Sequence, residues 1–253
     1  LRARVQVITD LNPNIFHQKF IVSDAATRRA AVLTGSTNFT HTGTAEKLNH
    51  IVIIRGKRTA TVYSKEFAEL WSGTFGQKRE RHDPAPRTYR VAKVRVKVLF
   101  APDHAPEMEI MKQMLKARRR IDFAIFTFAQ SSGIDDTMIA LARAGISVRG
   151  ILDRMQGGQR WAATTAVRDA GADVHLTRAG GGLNKLHHKL MVIDSEVVIA
   201  GSFNYTNPAT ALNDENIVVI GDLGEENAEA RQRQSQIGRF AQAEIARIID
   251  RHG

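Results

Sequence analysis

The chain has 253 residues, 43% hydrophobic and 25% charged, an ordinary globular balance that supports one large domain or two small ones around a real core. It has no cysteine, which excludes disulfides, thiol catalysis and cysteine-type zinc sites, and no apolar run near 18 residues that would make a transmembrane helix. The formal net charge of +10 favours polyanionic partners, either nucleic acid or an anionic membrane surface. The sequence opens on Leu1 rather than Met and is strand-like at once, so it reads as a fragment or processed chain whose compartment, and any signal peptide, are left open.

In chain order, FHQKFIVSD (16–24) and VLTGSTNFT (32–40) read as two strands joined by a wide turn with residues 25–29 at its tip. Leu48-Asn49-His50 leads into the strand IVII, and residues 59–71 carry a helical pattern. Residues 76–90 are charged, contain two prolines and read as a linker. Next, VRVKVLF (94–100) alternates as a half-buried strand, and residues 106–118 put Ile110, Met111, Met114 and Leu115 on one helical face. Strands at 121–128, 146–152 and 172–176 alternate with helices at 135–144 and 161–170, each closed by a glycine, Gly145 or Gly171. A glycine run at 180–182 then approaches LHHKLMVID (186–194), which forms a hairpin with VVIAG. An amphipathic helix over 225–249 ends the pattern.

Two stretches repeat. His17-Gln18-Lys19 matches His187-His188-Lys189, Asp24 matches Asp194, and Gly35-Ser36-Thr37-Asn38 matches Gly201-Ser202-Phe203-Asn204. Leu48-Asn49-His50 before IVII matches Asp214-Glu215-Asn216 before IVVI, and a helix follows each. The second copy has a long lead-in from residue 94 to 182 and the first only residues 1–15, so about 75 residues of a first half are expected to be missing upstream. The domains are therefore expected as the C-terminal portion of a first repeat (1–75), a linker (76–92) and a complete second repeat (93–253). Strand–helix alternation predicts an α/β fold, each repeat a mixed, mostly parallel sheet flanked by helices.

Strand alternation puts His187 and Lys189 on one face and His188 on the other; His17 and Lys19 are likewise co-facial, as are Ser202 and Asn204. An ammonium and neutral donors suit phosphate oxygens, and an imidazole suits nucleophilic or acid–base work. Two such sets related by a pseudo-two-fold place a histidine on each side of one phosphate. One histidine attacks phosphorus, and the other protonates the leaving oxygen and then deprotonates the water that resolves a phosphohistidine. Lys19 and Lys189 neutralise the non-bridging oxygens, and the scheme calls on no metal and no cofactor.

His-x-Lys-x4-Asp followed by Gly-Ser-x-Asn, present twice, resembles the phospholipase D superfamily over essentially the whole chain. The resemblance implies one active centre within one chain, at the interface of the repeats, with His17 and His187 as the catalytic pair. It also implies Lys19, Lys189, Asn38 and Asn204 as phosphate ligands, with Ser36 and Ser202 supporting the phosphate-binding set. Asp24 and Asp194 point away from the phosphate by alternation and are assigned a structural or orienting role. In the family an acidic residue after the second motif often bonds the catalytic histidine. Glu215 fits that place and is expected behind His187, with the neutral Asn49 at the matching position of the first copy. A carboxylate would raise His187's basicity; with family precedent this favours His17 as nucleophile and His187 as acid/base. The expected substrate is a phosphodiester, first a phospholipid head group cleaved or exchanged, alternatively DNA or RNA. A third reading is an inactive module that binds polyanions.

Overall fold

The computed structural model describes residues 5–76, 84, 87–178 and 183–253. The first repeat supplies β1 (Phe20–Ser23), β2 (Ala31–Gly35), α1 (His41–Ala45), β3 (Lys47–Leu48), β4 (Ile51–Arg55) and α2 (Lys57–Trp71). There follow β5 (Tyr89–Val91), β6 (Val94–Ala101), α3 (Pro106–Met114), β7 (Arg120–Ile125), α4 (Ile134–Arg143), β8 (Ser147–Leu152), α5 (Arg154–Gly157), α6 (Thr164–Asp169) and β9 (Asp173–Leu176). The chain closes with β10 (Lys185–Leu186), β11 (Lys189–Ile193), β12 (Val197–Gly201), α7 (Asn207–Ala211), β13 (Glu215–Ile220) and α8 (Ala228–His252).

The second repeat is a sheet of order β5-β6-β13-β12-β11-β7-β8-β9. Only β7–β8 and β8–β9 pair in parallel, and the other five pairings are antiparallel. The expectation of a mostly parallel sheet is therefore corrected to a mixed, mainly antiparallel one. The physical reason lies in strand insertion. β6, β7, β8 and β9 do run in one direction, as strand–helix alternation requires, but β13, β12 and β11 enter between β6 and β7 and reverse the local pairing.

Alternate residues of the central strands feed two cores, because successive side chains of a strand leave on opposite faces. On one face Met191, Ile199, Ile217 and Val219 pack with Ile110 and Met114 of α3 and Ile134 and Met138 of α4. On the other, Leu190, Val192, Val198 and Val218 pack with Ile245 and Ile248 of α8 and with Val32, Ile54 and Tyr63 of the first repeat. Each fully buried aliphatic side chain contributes about 1.5–3 kcal/mol. The second core thus holds residues of both repeats.

The first repeat's sheet, β1-β2-β4, is antiparallel and corresponds to β11-β12-β13. Its outer face carries Ile21, Ile51 and Ile53, each about half exposed, where the second repeat buries Met191, Ile217 and Val219. Of the expected linker, residues 77–83, 85 and 86 lie outside the described residues, as does the glycine run 180–182. Tyr89–Val91 is β5, with Tyr89 buried, so the segment expected as linker up to residue 92 contains a strand of the second sheet.

Candidate active site

The strand expected over 186–194 is broken at the two histidines. β10 pairs in parallel with β3 of the first repeat, and β11 belongs to the large sheet. His187 and His188 bridge the two: His187 N–H donates to Leu48 O at 2.7 Å, and His188 O accepts from Phe126 N–H at 2.8 Å. The first motif mirrors this. Phe16 makes a parallel bridge to Asp214, and His17 N–H donates to Asp214 O at 3.0 Å. Each motif histidine is therefore hung by its backbone on the other repeat, and the imidazole centroids lie 6.4 Å apart.

The glycine of each Gly-Ser-x-Asn motif permits the close strand approach behind the site. A Cβ at Gly201 would stand 2.1 Å from Asn216 O, and one at Gly35 would stand 2.3 Å from His50 O. Those carbonyls accept from Ser202 N–H and Ser36 N–H.

Behind the imidazoles the pairing is crossed. His17 Nδ1 lies 2.8 Å from both carboxylate oxygens of Glu215. His187 Nδ1 lies 3.0 Å from Asn49 Oδ1 and 3.0 Å from Ser36 O. The expected placement of Glu215 behind His187 is therefore corrected: the carboxylate backs His17, and the neutral Asn49 backs His187. Sequence alignment within one repeat pointed the wrong way because the two sheets meet across the pseudo-two-fold, and each acceptor reaches the histidine of the other half. The tautomers follow. Asn49 Nδ2 donates to Gly43 O at 2.6 Å, which turns Oδ1 toward His187. Both rings carry their proton on Nδ1 against acceptors and leave Nε2 for chemistry.

Lys19 and Lys189 are buried at the bottom of the site. Each ammonium donates back to the carbonyl of its own motif histidine, His17 O and His187 O, the latter at 3.1 Å. Lys189 Nζ also stands 4.8 Å from the Phe126 ring centroid, and that ring packs 4.8 Å from His187. Burial lowers Lys19 to a pKa of about 8, with Glu215 opposing, and holds Lys189 well below the usual lysine range. His187 is lowered to about 2 by burial, then by Lys189 and His17. Burial also lowers His17, but there the Glu215 carboxylate pulls the other way.

Ser36 and Ser202, expected in the phosphate-binding set, are fully buried behind the imidazoles. Ser202 Oγ donates to Glu215 at 2.5 Å and accepts from Asn216 N–H; Ser36 Oγ accepts from His50 N–H and contacts Asn49 Oδ1 at 3.4 Å. Both thus orient Glu215 and Asn49 rather than face the site. Asn38 and Asn204 are half-buried beside it, and the buried Oδ1 of Asn204 has no hydrogen-bond partner among the described residues. Asp194 is buried and accepts the backbone N–H groups of Arg118, Arg119 and Arg120 at 2.7–2.9 Å. Asp24 shares its φ of 52° but is exposed, with Ser23 Oγ at 3.1 Å. Sequence reasoning did not find Phe126, because nothing in a strand pattern marks which end residue reaches across to a histidine.

A family profile described as "Cardiolipin synthase, PLD-like domain" matches residues 1–71 and 110–237. A mitochondrial cardiolipin hydrolase from Xenopus tropicalis is 33% identical over 109 residues, 43% of this chain and 50% of that protein. A phospholipase D from Rickettsia conorii is 30% identical over 137 residues, 52% of this chain and 64% of that protein. The chain thus spans about half the length of the first curated relatives it matches. Among solved structures, phosphatidylserine synthase from Haemophilus influenzae superposes with a TM-score of 0.63 at 14% identity, covering 90% of this chain and 61% of that one. Nuc, a phospholipase D family member from Salmonella typhimurium, gives 0.53 at 19% identity, covering 62% and 95%. These likenesses share the fold. With two crossed half-sites on that fold and a profile matching most of its length, the chain belongs to the phospholipase D-like family.

Proposed function

We propose that the protein is a phosphodiesterase of phospholipase D type acting through a phosphohistidine, with phospholipid head groups as substrate. The observation that carries the reading is the pair of imidazoles 6.4 Å apart, each with Nδ1 bound to an acceptor and Nε2 free, above two buried ammonium groups. His17 is assigned as nucleophile. Phosphorylation at Nε2 leaves a cationic ring, and Glu215 is the carboxylate placed to stabilise that charge. His187, backed only by neutral acceptors, is the acid/base. Burial first, then Lys189 and His17, keep it neutral in the resting site, and an entering phosphodiester anion favours its taking up a proton. Nε2 of His17 then bonds to phosphorus while the alkoxide leaves with that proton. Nε2 of His187 next removes a proton from water as the water oxygen displaces His17. Lys19, Lys189, Asn38 and Asn204 hold the non-bridging oxygens.

Two observations support a lipid. The named relatives at 30–33% identity are cardiolipin hydrolase and phospholipase D. Phe16 and Phe39, half exposed next to His17 and Asn38, border an apolar cavity of about 390 Å3 that also includes Phe67 and Trp71. The +10 charge supports nucleic acid as the second reading. No helix among the described residues is long and apolar enough to cross a membrane, and contact with an anionic membrane surface is part of the proposal. The test is hydrolysis of bis-p-nitrophenyl phosphate in EDTA, with parallel arms on phosphatidylcholine and cardiolipin vesicles and on plasmid. Turnover of vesicles with plasmid left intact is expected. The reverse pattern moves the protein to the nuclease reading. No turnover, with wild type and His187→Ala alike, leaves a polyanion-binding module.

A further inference from the structure

His50 and His188 take no part in the chemistry described above, yet they sit against it. Each is the chain neighbour of a partner in the Asn49–His187 hydrogen bond: His50 follows Asn49 and His188 follows His187. His188 is buried and His50 half-buried, the rings stack at 5.4 Å with 12° between planes, and their Nδ1 atoms are 3.2 Å apart. At that distance one Nδ1 donates and the other accepts, so the pair shares one proton and both rings are neutral. Neither Nε2 has a hydrogen-bond partner among the described residues. Ser36 Oγ accepts the backbone N–H of His50 and also lies 3.2 Å from His50 Nδ1, so it shares that nitrogen with His188, and His188 O accepts from Phe126 N–H. The contact therefore bridges the two repeats directly behind His187.

We propose that His50 and His188 are a positioning pair for His187: the Nδ1–Nδ1 hydrogen bond pins the two segments that set His187 against Asn49 and so fixes its Nδ1–H tautomer. The inference rests on the phosphodiesterase reading for its kinetic consequence, but its structural content does not. A second proton on the pair would set N–H against N–H and break the clamp. The groups facing it are His187 and Lys189 beside His50, and Glu244 and Arg247 of α8 with Lys189 beside His188. Burial and the Lys189 cation disfavour that second proton, and His188 is lowered to about 4. The clamp is thus closed above that range and opens as pH falls through it. The other half-site is built differently: Asn216 occupies the place of His50, and Gln18 that of His188. There Asn216 Oδ1 accepts from Thr34 at 2.9 Å, and Gln18 donates to Glu66.

The test compares wild type, His50→Ala and the double variant His50→Asn/His188→Gln, which copies the residues of the other half-site. The ring nitrogens of His187 are followed by long-range 1H–15N correlation, and turnover of bis-p-nitrophenyl phosphate is normalised to active sites titrated as trapped phosphohistidine. In wild type His187 is expected as a single Nδ1–H tautomer. In His50→Ala it becomes a mixture, and kcat per titrated site falls about 10- to 100-fold, as misplacement of a catalytic group does, with KM within about twofold. The double variant sets an amide donor opposite an amide acceptor, a direct bond that the other half-site does not make and that does not titrate. It is expected to restore the tautomer and most of kcat, and to lack the acid limb near pH 4. A wild-type tautomer and kcat in His50→Ala overturn the proposal, as does a double variant that keeps the acid limb. The tautomer readout needs no substrate, so the pair is judged by it even where wild type shows no turnover, a result that removes the phosphodiesterase reading instead.

Discussion

Replacing Glu215 by Gln removes one charge and almost no volume from a fully buried position, so it isolates the electrostatic role of the carboxylate behind His17. With both carboxylate oxygens 2.8 Å from Nδ1, the charge centre of a cationic ring lies about 4 Å away, and two unit charges at that distance interact by about 4 kcal/mol at an effective dielectric constant near 20. The amide retains a dipole that accepts from Nδ1, so roughly two-thirds of that interaction is expected to vanish, a loss of about 100-fold in the phosphorylation rate. Without the opposing carboxylate, burial lowers His17 further, so its titration moves to lower pH. The assay is rapid-quench phosphorylation with a labelled diester, followed by peptide mapping. Wild type is expected to carry label on His17, and Glu215→Gln on the same residue with a slower burst and unchanged stoichiometry. A burst rate within threefold of wild type, or label on His187, refutes the assignment of Glu215 to the nucleophile.

Three further outcomes are expected. Lys19, lowered to about 8, loses its proton as pH rises through that value, so kcat/KM falls on the alkaline side with a midpoint near pH 8 in steady-state profiles. Lys189→Met removes a buried cation whose neutral form burial already favours; the melting temperature is expected to rise by about 2–4 °C for each kcal/mol recovered while turnover is lost, and a fall in melting temperature would contradict the cost assigned to that charge. Asp194→Ala strips the acceptor from three backbone N–H groups and is expected to cost about 3 kcal/mol, or roughly 6–12 °C in a thermal melt, whereas Asp24→Ala at its exposed counterpart loses only the fit of Asp to a φ of 52° and is expected to cost about 1 kcal/mol.

Much of this site was legible in the sequence because duplication wrote it twice. Spacing identified His17, Lys19, His187 and Lys189, and alternation set His188 apart from His187. What alternation did not reveal was direction across the symmetry axis. Glu215 is placed by its own strand β13, but it meets an imidazole delivered by the other repeat, and no pattern along one copy encodes that crossing. The sheet failed for a related reason. Strand–helix alternation reports the direction of β6 to β9 correctly, yet insertion of three later strands between β6 and β7 is a long-range event with no local signature. The serines were legible as motif members and misassigned in role, because a hydroxyl pointing toward phosphate and one pointing toward the residue behind the histidine look alike in sequence. Their hydrogen bonds decide between them: Ser202 Oγ donates to Glu215 and Ser36 Oγ contacts Asn49.

The reciprocal suspension of the histidines, His17 on Asp214 and His187 on Leu48, makes this centre a logical AND. Neither repeat holds its own imidazole by these bonds, so a chain cut between them would contribute two silent pieces, and turnover would report their reunion rather than the folding of either. A lesion at residues 48 or 214 would strike the opposite histidine before its own. Such an arrangement also ties the two copies together in their divergence: a backbone shift tolerated in one is felt at once as a misaimed reagent in the other.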